Sequence, residues 1–364
     1  MEQEDLHNQH TIVNQTSDNQ GGGEQSDDLF EHHRIVTDKG QSQYRIDKFL
    51  MDRIAQVSRN KIQNAIRAGS VLVDGLEIKP NYKVRPNQTI TVTLAHPPAS
   101  DYIEPQKMDL NIVFEDEDVM IINKPPGLVV HPGLGNPDHT LLNGLMYYFR
   151  EKYGEVAPDS DGQRPYLVHR IDKDTSGLLL VAKNEYAMSR LAKQFFDHSI
   201  QRTYHALVWG QPDVLTGTIN VNVGRDPNER LLIKAFPEGD EGKVAITHYR
   251  VLEAMYYVSL VECNLETGRT HQIRVHMKHM GHPLFMDGRY GGDEILKGTV
   301  FTKYKQFVLN CFRTIPRQAL HAKTLGFVHP TTNEKMFFDS ELPADFGGVL
   351  KKWRDYLAYR KQLL

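Results

Sequence analysis

Between Leu167 and Asn184 the chain reads LVHRIDKDTSGLLLVAKN. Five ionisable side chains (His169, Arg170, Asp172, Lys173 and Asp174) fill six positions just before a greasy run. At the edge of a buried strand a charge is costly unless it is paired or used. A carboxylate there can serve as nucleophile or base, provided a cation keeps it ionised. Two distant residues lie on patterned elements, though the patterns alone assign them no part in that chemistry. Tyr204, in QRTYHALVWG, alternates with Ala206 and Val208 on one strand face, offering a ring for stacking and a phenol for proton transfer. Arg274, in THQIRVHMKHMG, stands one residue off the helical stripe Ile273, Met277 and Met280, so it can reach a pocket edge. Taken singly, each also has a plain structural reading, as core tyrosine or surface ion pair.

The elements that must hold these residues fall into four stretches. Residues 1–40 are rich in Gln, Asn, Ser, Asp and Gly and read as a disordered acidic tail. Residues 41–98 read as a compact α/β unit. Ile46, Phe49, Leu50 and Ile54 fall at helical spacing, a second helix buries Ile62 and Ile66 and stops at Gly69, and two short strands follow. Residues 99–108 are a Pro-rich, polar linker. Residues 109–364 mix strands with irregularly spaced helices, which argues for an α+β domain. Within it, two apolar runs flank the acidic turn Glu115–Asp118 as a hairpin, and Met188, Leu191, Phe195 and Phe196 mark a helix.

Composition narrows the functional classes. The first 33 residues hold eight acids and no Lys or Arg; removing those eight from the chain's 46 leaves 38 acids against 43 bases. The remainder is mildly basic, which suits a polyanionic partner. No apolar run of membrane-spanning length and no secretory pattern is present, and the two cysteines, Cys263 and Cys311, are far apart. A reduced, cytoplasmic setting is the expectation. No P-loop and no G-x-G-x-x-G occurs, so no nucleotide cofactor is expected. His271, His276, His279, His282 and His321 cluster without Cys or carboxylate at ligand spacing, so no metal is expected either.

The stretch SRNKIQNAIRAGSVLVDGLEIKPNYKVRPNQTI resembles the S4-like RNA-binding domain, with Arg59, Lys61 and Arg67 on its exposed helix positions. The HRIDKDTSGL segment resembles the signature of RluA/RluD-type pseudouridine synthases, with Ile171 for the usual Leu. INKPPGLVVHPG, QRTYHALVWG, ETGRTHQIRVHMKHMGHPL and RQALHAKTLGFVHP follow the same family's order, so the likeness runs from about residue 110 to residue 345.

That resemblance implies a largely antiparallel mixed sheet with a central cleft and flanking helices. It implies an enzyme that breaks the bond between uracil and ribose, turns the base and rejoins it through ring carbon 5, without cofactor or metal. Asp172 takes the position of the reagent carboxylate, Arg274 of its cation and Tyr204 of the stacking phenol. The target uridine leaves its stack to reach Asp172, and His169 or Arg170 fills the vacated space or contacts phosphate. A structural salt bridge remains open for Arg170. Two readings likewise stand for Lys124, RNA contact or strand end. The implied substrate is large-subunit (23S) ribosomal RNA, free or within an assembling subunit, and the enzyme is expected to be a monomer. A transfer RNA synthase and an idle RNA-binding assembly factor are the alternatives. Two departures stand out: Phe285-Met286, where relatives more often have Val-Gly before the acid, and the insertion 293–316, which could reshape a cleft wall.

Overall fold

The run SGLLLVA is buried at every residue, and its alternate side chains enter two different cores. Leu179 and Val181 face one with Tyr204 and Ile273; Leu178, Leu180 and Ala182 face another with Met188, Leu191 and Phe195. A continuous apolar strand is what a sheet covered on both faces requires. The structure, a computed structural model, describes residues 30–362 apart from 55, 56, 58, 95–102, 134, 155–162, 230, 231, 240 and 300.

The N-terminal domain comprises β1 (Phe30–Val36), β2 (Tyr44–Arg45), α1 (Ile46–Met51), α2 (Arg59–Arg67), β3 (Val71–Val73), β4 (Leu76–Glu77), β5 (Lys83–Val84) and β6 (Thr89–Leu94). Ile46, Phe49, Leu50, Ile62 and Ile66 close its core against Val71, Val73 and Ile90. Residues 30–36 do not belong to a tail as the composition suggested. They pair antiparallel with β6 and extend the sheet to the order β1-β6-β3-β4, and Thr37 is buried behind them. Alternation over a short polar strand is too weak a signal to stand out from its Gln- and Asp-rich flank. The rest of the expected tail, residues 1–29, lies outside the described residues.

The first part of the expected linker, residues 99–102, also lies outside them. From Ile103 onward it is strapped to the second domain: Gln106 N donates to Asn143 O at 3.0 Å and Asn143 Nδ2 to Glu104 O at 2.9 Å.

The second domain begins with the hairpin β7 (Ile112–Glu115) and β8 (Val119–Lys124), followed by α3 (Leu141–Tyr153) and β9 (Tyr166–Leu167). Next come β10 (Ser176–Ala182), α4 (Glu185–Phe196), β11 (Gln201–Trp209), β12 (Thr216–Asn220), β13 (Asn222–Arg225) and β14 (Ile233–Phe236). Then β15 (Ile246–Ala254), β16 (Val258–Leu265), α5 (Gln272–His279), α6 (Thr302–Thr314), β17 (Leu320–Val328), β18 (Lys335–Asp339) and α7 (Ala344–Gln362) complete it. Its large sheet runs β12-β15-β16-β11-β17-β10-β8-β7, with β18 on β17 and β9 on β10. All of these pairings are antiparallel except β10–β17, which is a short parallel seam, Ser176 opposite His321 and Gly177 opposite Ala322. Gly177 sits at φ 113°, and a Cβ there would lie 2.2 Å from Ala322 O, so only glycine lets the two halves meet.

Helices α3 and α5 cover one face of the sheet and α4 the other. Phe196, expected inside, is 54% exposed at the end of α4. The insertion 293–316 forms α6, which packs through Tyr304, Val308, Cys311 and Phe312 on Trp209, Phe285 and Trp353, away from the cleft described below. The N-terminal domain docks on α4 through two ion pairs of opposite sense, Lys61–Glu185 at 2.8 Å and Lys193–Glu77 at 2.9 Å.

Candidate active site

Asp172 lies on the loop that leads into β10, at the seam between the sheet halves. Thr175 N donates to Asp172 O at 3.1 Å and closes a turn, and two buried cations hold that turn from behind. Lys124, at the end of β8, donates from Nζ to the carbonyls of Pro125 (2.8 Å), Leu128 (2.9 Å) and Lys173 (2.9 Å). Burial draws this amine down to about 7, with Asp172 and Asp174 opposing. Three carbonyl acceptors match the three N–H of the charged form, so we describe it as an ammonium. Arg317 donates from Nη1 to Asp174 O at 2.8 Å and is gripped by Asp345 at 2.7 Å. Ser176 Oγ lies 2.9 Å from His321 Nδ1, which ties the loop to β17.

Tyr204 comes from β11, where the pairing with β17 shifts register between Thr203 and Tyr204. Such a bulge re-aims a side chain. Its ring is buried with Ala206 and Val208, as the alternation predicts.

Arg274 comes from the first turn of α5. The preceding loop is fixed by buried Gln272, whose Oε1 accepts from Thr267 Oγ1 (2.8 Å) and Arg269 N (3.0 Å) and whose Nε2 reaches Ile246 O (3.0 Å). His271, at φ 53°, turns the chain into the helix.

These three segments meet. Arg274 Nη1 donates to Asp172 Oδ2 at 3.0 Å, and Asp172, Tyr204 and Arg274 line one cleft. Asp172 Oδ1 faces His271 Nε2 at 3.9 Å, beyond hydrogen-bond reach. Burial pushes the Asp172 carboxyl up. The facing His271 and Arg274, with the Arg274 hydrogen bond, outweigh burial and hold the carboxyl below its ordinary range. His271 is itself held down by burial against the pull of Asp172, which leaves Arg274 as the standing cation. Among the described residues, Asp172 is the sole carboxylate lining a cleft that also presents Arg170, Arg202, Arg269 and Arg274. A single anion in an arginine-lined cleft suits a polyanionic substrate.

The expected RNA contacts divide. Arg170 is exposed at the cleft. Lys124 is 1% exposed and fully engaged with main chain, so the strand-end reading holds and the RNA-contact reading does not. His169 is buried in the cleft wall, stacked on Phe195 at 4.8 Å, and its Nε2 accepts from Leu180 N at 2.8 Å, so it braces β10. Arg59 donates from Nε and Nη2 to the buried carboxylate of Asp47 (3.0 and 2.9 Å), so part of it is structural. Lys61 is paired with Glu185, and Arg67 stays exposed at the end of α2.

Sequence reasoning passed over Asp287, which lies 1% exposed against Arg274, and Arg202, which lines the cleft from β11. Asp287 had a signal, as the acid after the unusual Phe285-Met286. Phe285 is keyed between Trp209 and Phe312, and Met286 occupies φ 62°, a backbone that favours the glycine of relatives. Four of the five histidines serve separate hydrogen bonds: His271 with Tyr290, His276 with Thr247 and Val221, His282 with Trp209 O, and His321 with Ser176 and Ser340.

The chain is similar to known proteins over most of its length. Residues 118–279 match the RNA pseudouridylate synthase family and residues 45–90 the S4 domain. The chain is 44% identical over 317 residues to an uncharacterized RNA pseudouridine synthase of Chlorobaculum parvum, covering 87% of this chain and 96% of that one. It is 42% identical over 311 residues to the ribosomal large subunit pseudouridine synthase D of Zymomonas mobilis, covering 85% and 93%. The solved structure of human RNA Pseudouridylate Synthase Domain Containing 4 shares the fold, with a TM-score of 0.51 at 21% identity over 67% of this chain and 93% of that one. The chain therefore belongs to the RNA pseudouridine synthase family, in its RluA/RluD-type branch with an S4 domain, and is an isomerase. No helix among the described residues is long and apolar enough to cross a membrane.

Proposed function

We propose that this enzyme converts uridines of large-subunit ribosomal RNA to pseudouridine, as a cytoplasmic monomer, with Asp172 as the reacting carboxylate. The observation that carries the assignment is the Asp172–Arg274 contact of 3.0 Å on an arginine-lined cleft. The relative from Zymomonas mobilis, named for the large ribosomal subunit, supports the choice of RNA. Oδ2 of Asp172 is engaged by Arg274, so Oδ1, open to the cleft, is the oxygen that acts on the flipped nucleotide. The bond from uracil N1 to the ribose breaks, the base turns, and ring carbon 5 bonds to the sugar. The proton of carbon 5 leaves to solvent and N1 gains one, so nothing is consumed. Tyr204 stacks on the base and passes the proton. Arg170 holds the displaced strand by its phosphates. The N-terminal domain adds grip through Arg67.

The test is release of tritium from ring carbon 5 of uridine. Asp172→Asn should abolish release while leaving RNA affinity within about 3-fold, because phosphate contacts dominate affinity. Asp174→Asn, whose main-chain oxygen and not its carboxylate meets Arg317, should retain turnover. Activity in Asp172→Asn, or death of Asp174→Asn alone, would assign the chemistry to another acid. Mapping of pseudouridine in large-subunit RNA from cells lacking the gene tests the substrate; loss of no site there overturns that choice.

A further inference from the structure

Arginine presents its charge as a planar fork, and one edge of it chelates both oxygens of a carboxylate. At Arg274 that edge is already taken. Nε donates to Asp287 Oδ2 at 2.7 Å and Nη2 to Asp287 Oδ1 at 2.8 Å, which leaves Nη1 for Asp172. The Tyr290 ring lies 4.9 Å from the Arg274 guanidinium carbon and bars rotation on that side, and its hydroxyl is 2.7 Å from His271 Nδ1.

Asp287 stands on a rigid turn. Gly292 N donates to Asp287 O at 2.8 Å and Met286 N to Gly292 O at 2.9 Å, and neighbouring Phe285 is wholly buried among aromatic rings. A bidentate pair of this kind also serves stability; what bears on the site is that the two acids share one guanidinium.

We propose that Asp287 is a positioning residue which confines Arg274 to a single oxygen of Asp172 and so keeps Oδ1 open for the reaction. Without it, the fork turns to chelate Asp172, and both reagent oxygens are occupied. The inference rests on the reading of Asp172 as the reacting group.

The test is a double-mutant cycle on turnover. Asp287→Asn should lower kcat by on the order of 10²-fold, with KM and RNA affinity within about 2-fold. Arg274→Lys removes the chelating fork. It should therefore cost far less in the Asp287→Asn background than in the unaltered enzyme. Because residues in contact also couple in stability, melting of each variant is read alongside, and the coupling must appear in kcat with melting unchanged. Should Asp287→Asn not fold, Asp287→Glu keeps the charge, displaces the guanidinium by roughly 1 Å and is expected to show the same loss of kcat. Unimpaired kcat in the folded variant, or strictly additive effects, overturns the proposal. Asp172→Asn runs alongside: if it turns over, the reading of Asp172 fails; if it is dead while Asp287→Asn is normal, only the role of Asp287 fails.

Discussion

The ammonium of Lys124 lies 2.9 Å from the main-chain oxygen of Lys173, the residue after Asp172. A cation from one strand end thus holds the Asp172 loop by its backbone. Lys124→Met keeps the length of the side chain and leaves three carbonyls without their donor. A loss of on the order of 3 kcal/mol in stability is expected, with a fall in kcat as the loop loosens. The salt dependence of RNA binding should not change. A drop in that slope by about 0.7–0.9, as for a lost phosphate contact, would return Lys124 to the RNA surface.

Arg274 is one of the groups that hold Asp172 ionised. Asp172 has a depressed folded value, so it stays ionised from neutral pH to below the ordinary carboxylate range. The stability it contributes is present above its unfolded value of about 3.9 and is lost as pH falls through the folded one. Turnover should therefore hold as the pH drops from about 7 to about 5. In Arg274→Met the main cation is gone and burial raises the carboxyl, so whatever activity remains should fall away at higher pH than in the parent. Rate profiles on protein shown folded at each pH decide this; an unmoved acid limb separates Arg274 from Asp172.

The basic helix of the N-terminal domain should split by function. Arg59→Ala removes two hydrogen bonds from the buried carboxylate of Asp47, which Arg45 and Gln63 still contact. A stability loss of about 1–3 kcal/mol is expected from charge-assisted bonds of this kind. Arg67→Ala should leave melting unchanged and flatten the salt slope by about 0.7–0.9. The reverse pattern, read by urea melts and filter binding, would exchange the two roles.

Strand β1 predicts a difference between two truncations. Deletion through residue 29 leaves β1 on β6, whereas deletion through residue 38 strips it away, together with the bond from Thr37 Oγ1 to Arg85 O at 2.6 Å. The longer deletion should lower N-terminal domain stability relative to the shorter by at least about 1 kcal/mol, roughly 4–8 °C for a domain of that size. Equal melting of the two would make β1 dispensable.

The Asp172 loop, the Tyr204 strand and the Arg274 helix were legible because each carries a strong local period or a family motif, and the structure joins all three in one cleft. Lys124 and His169 were harder. Lys124 ends a strand and His169 lies in the loop between β9 and β10, each beside another polar residue, and only tertiary packing reveals which polar group is turned inward. Arg59 is masked in the same way, because its partner Asp47 lies 12 residues away on another helix. Asp287 sits 13 residues from Arg274 and 115 beyond Asp172, so no periodicity could relate the three.

The short parallel seam has a consequence for the order in which the enzyme comes into being. Arg317 and Asp174 are 143 residues apart, and Ser176 and His321 are 145 apart. Closing so large a loop adds little to the free energy but slows its formation. A chain leaving the ribosome can fold its N-terminal domain early, yet the loop that bears Asp172 lacks its backing until residues 317–322 have emerged. A chain cut short before residue 317 therefore keeps its S4 domain while the Asp172 loop lacks its backing.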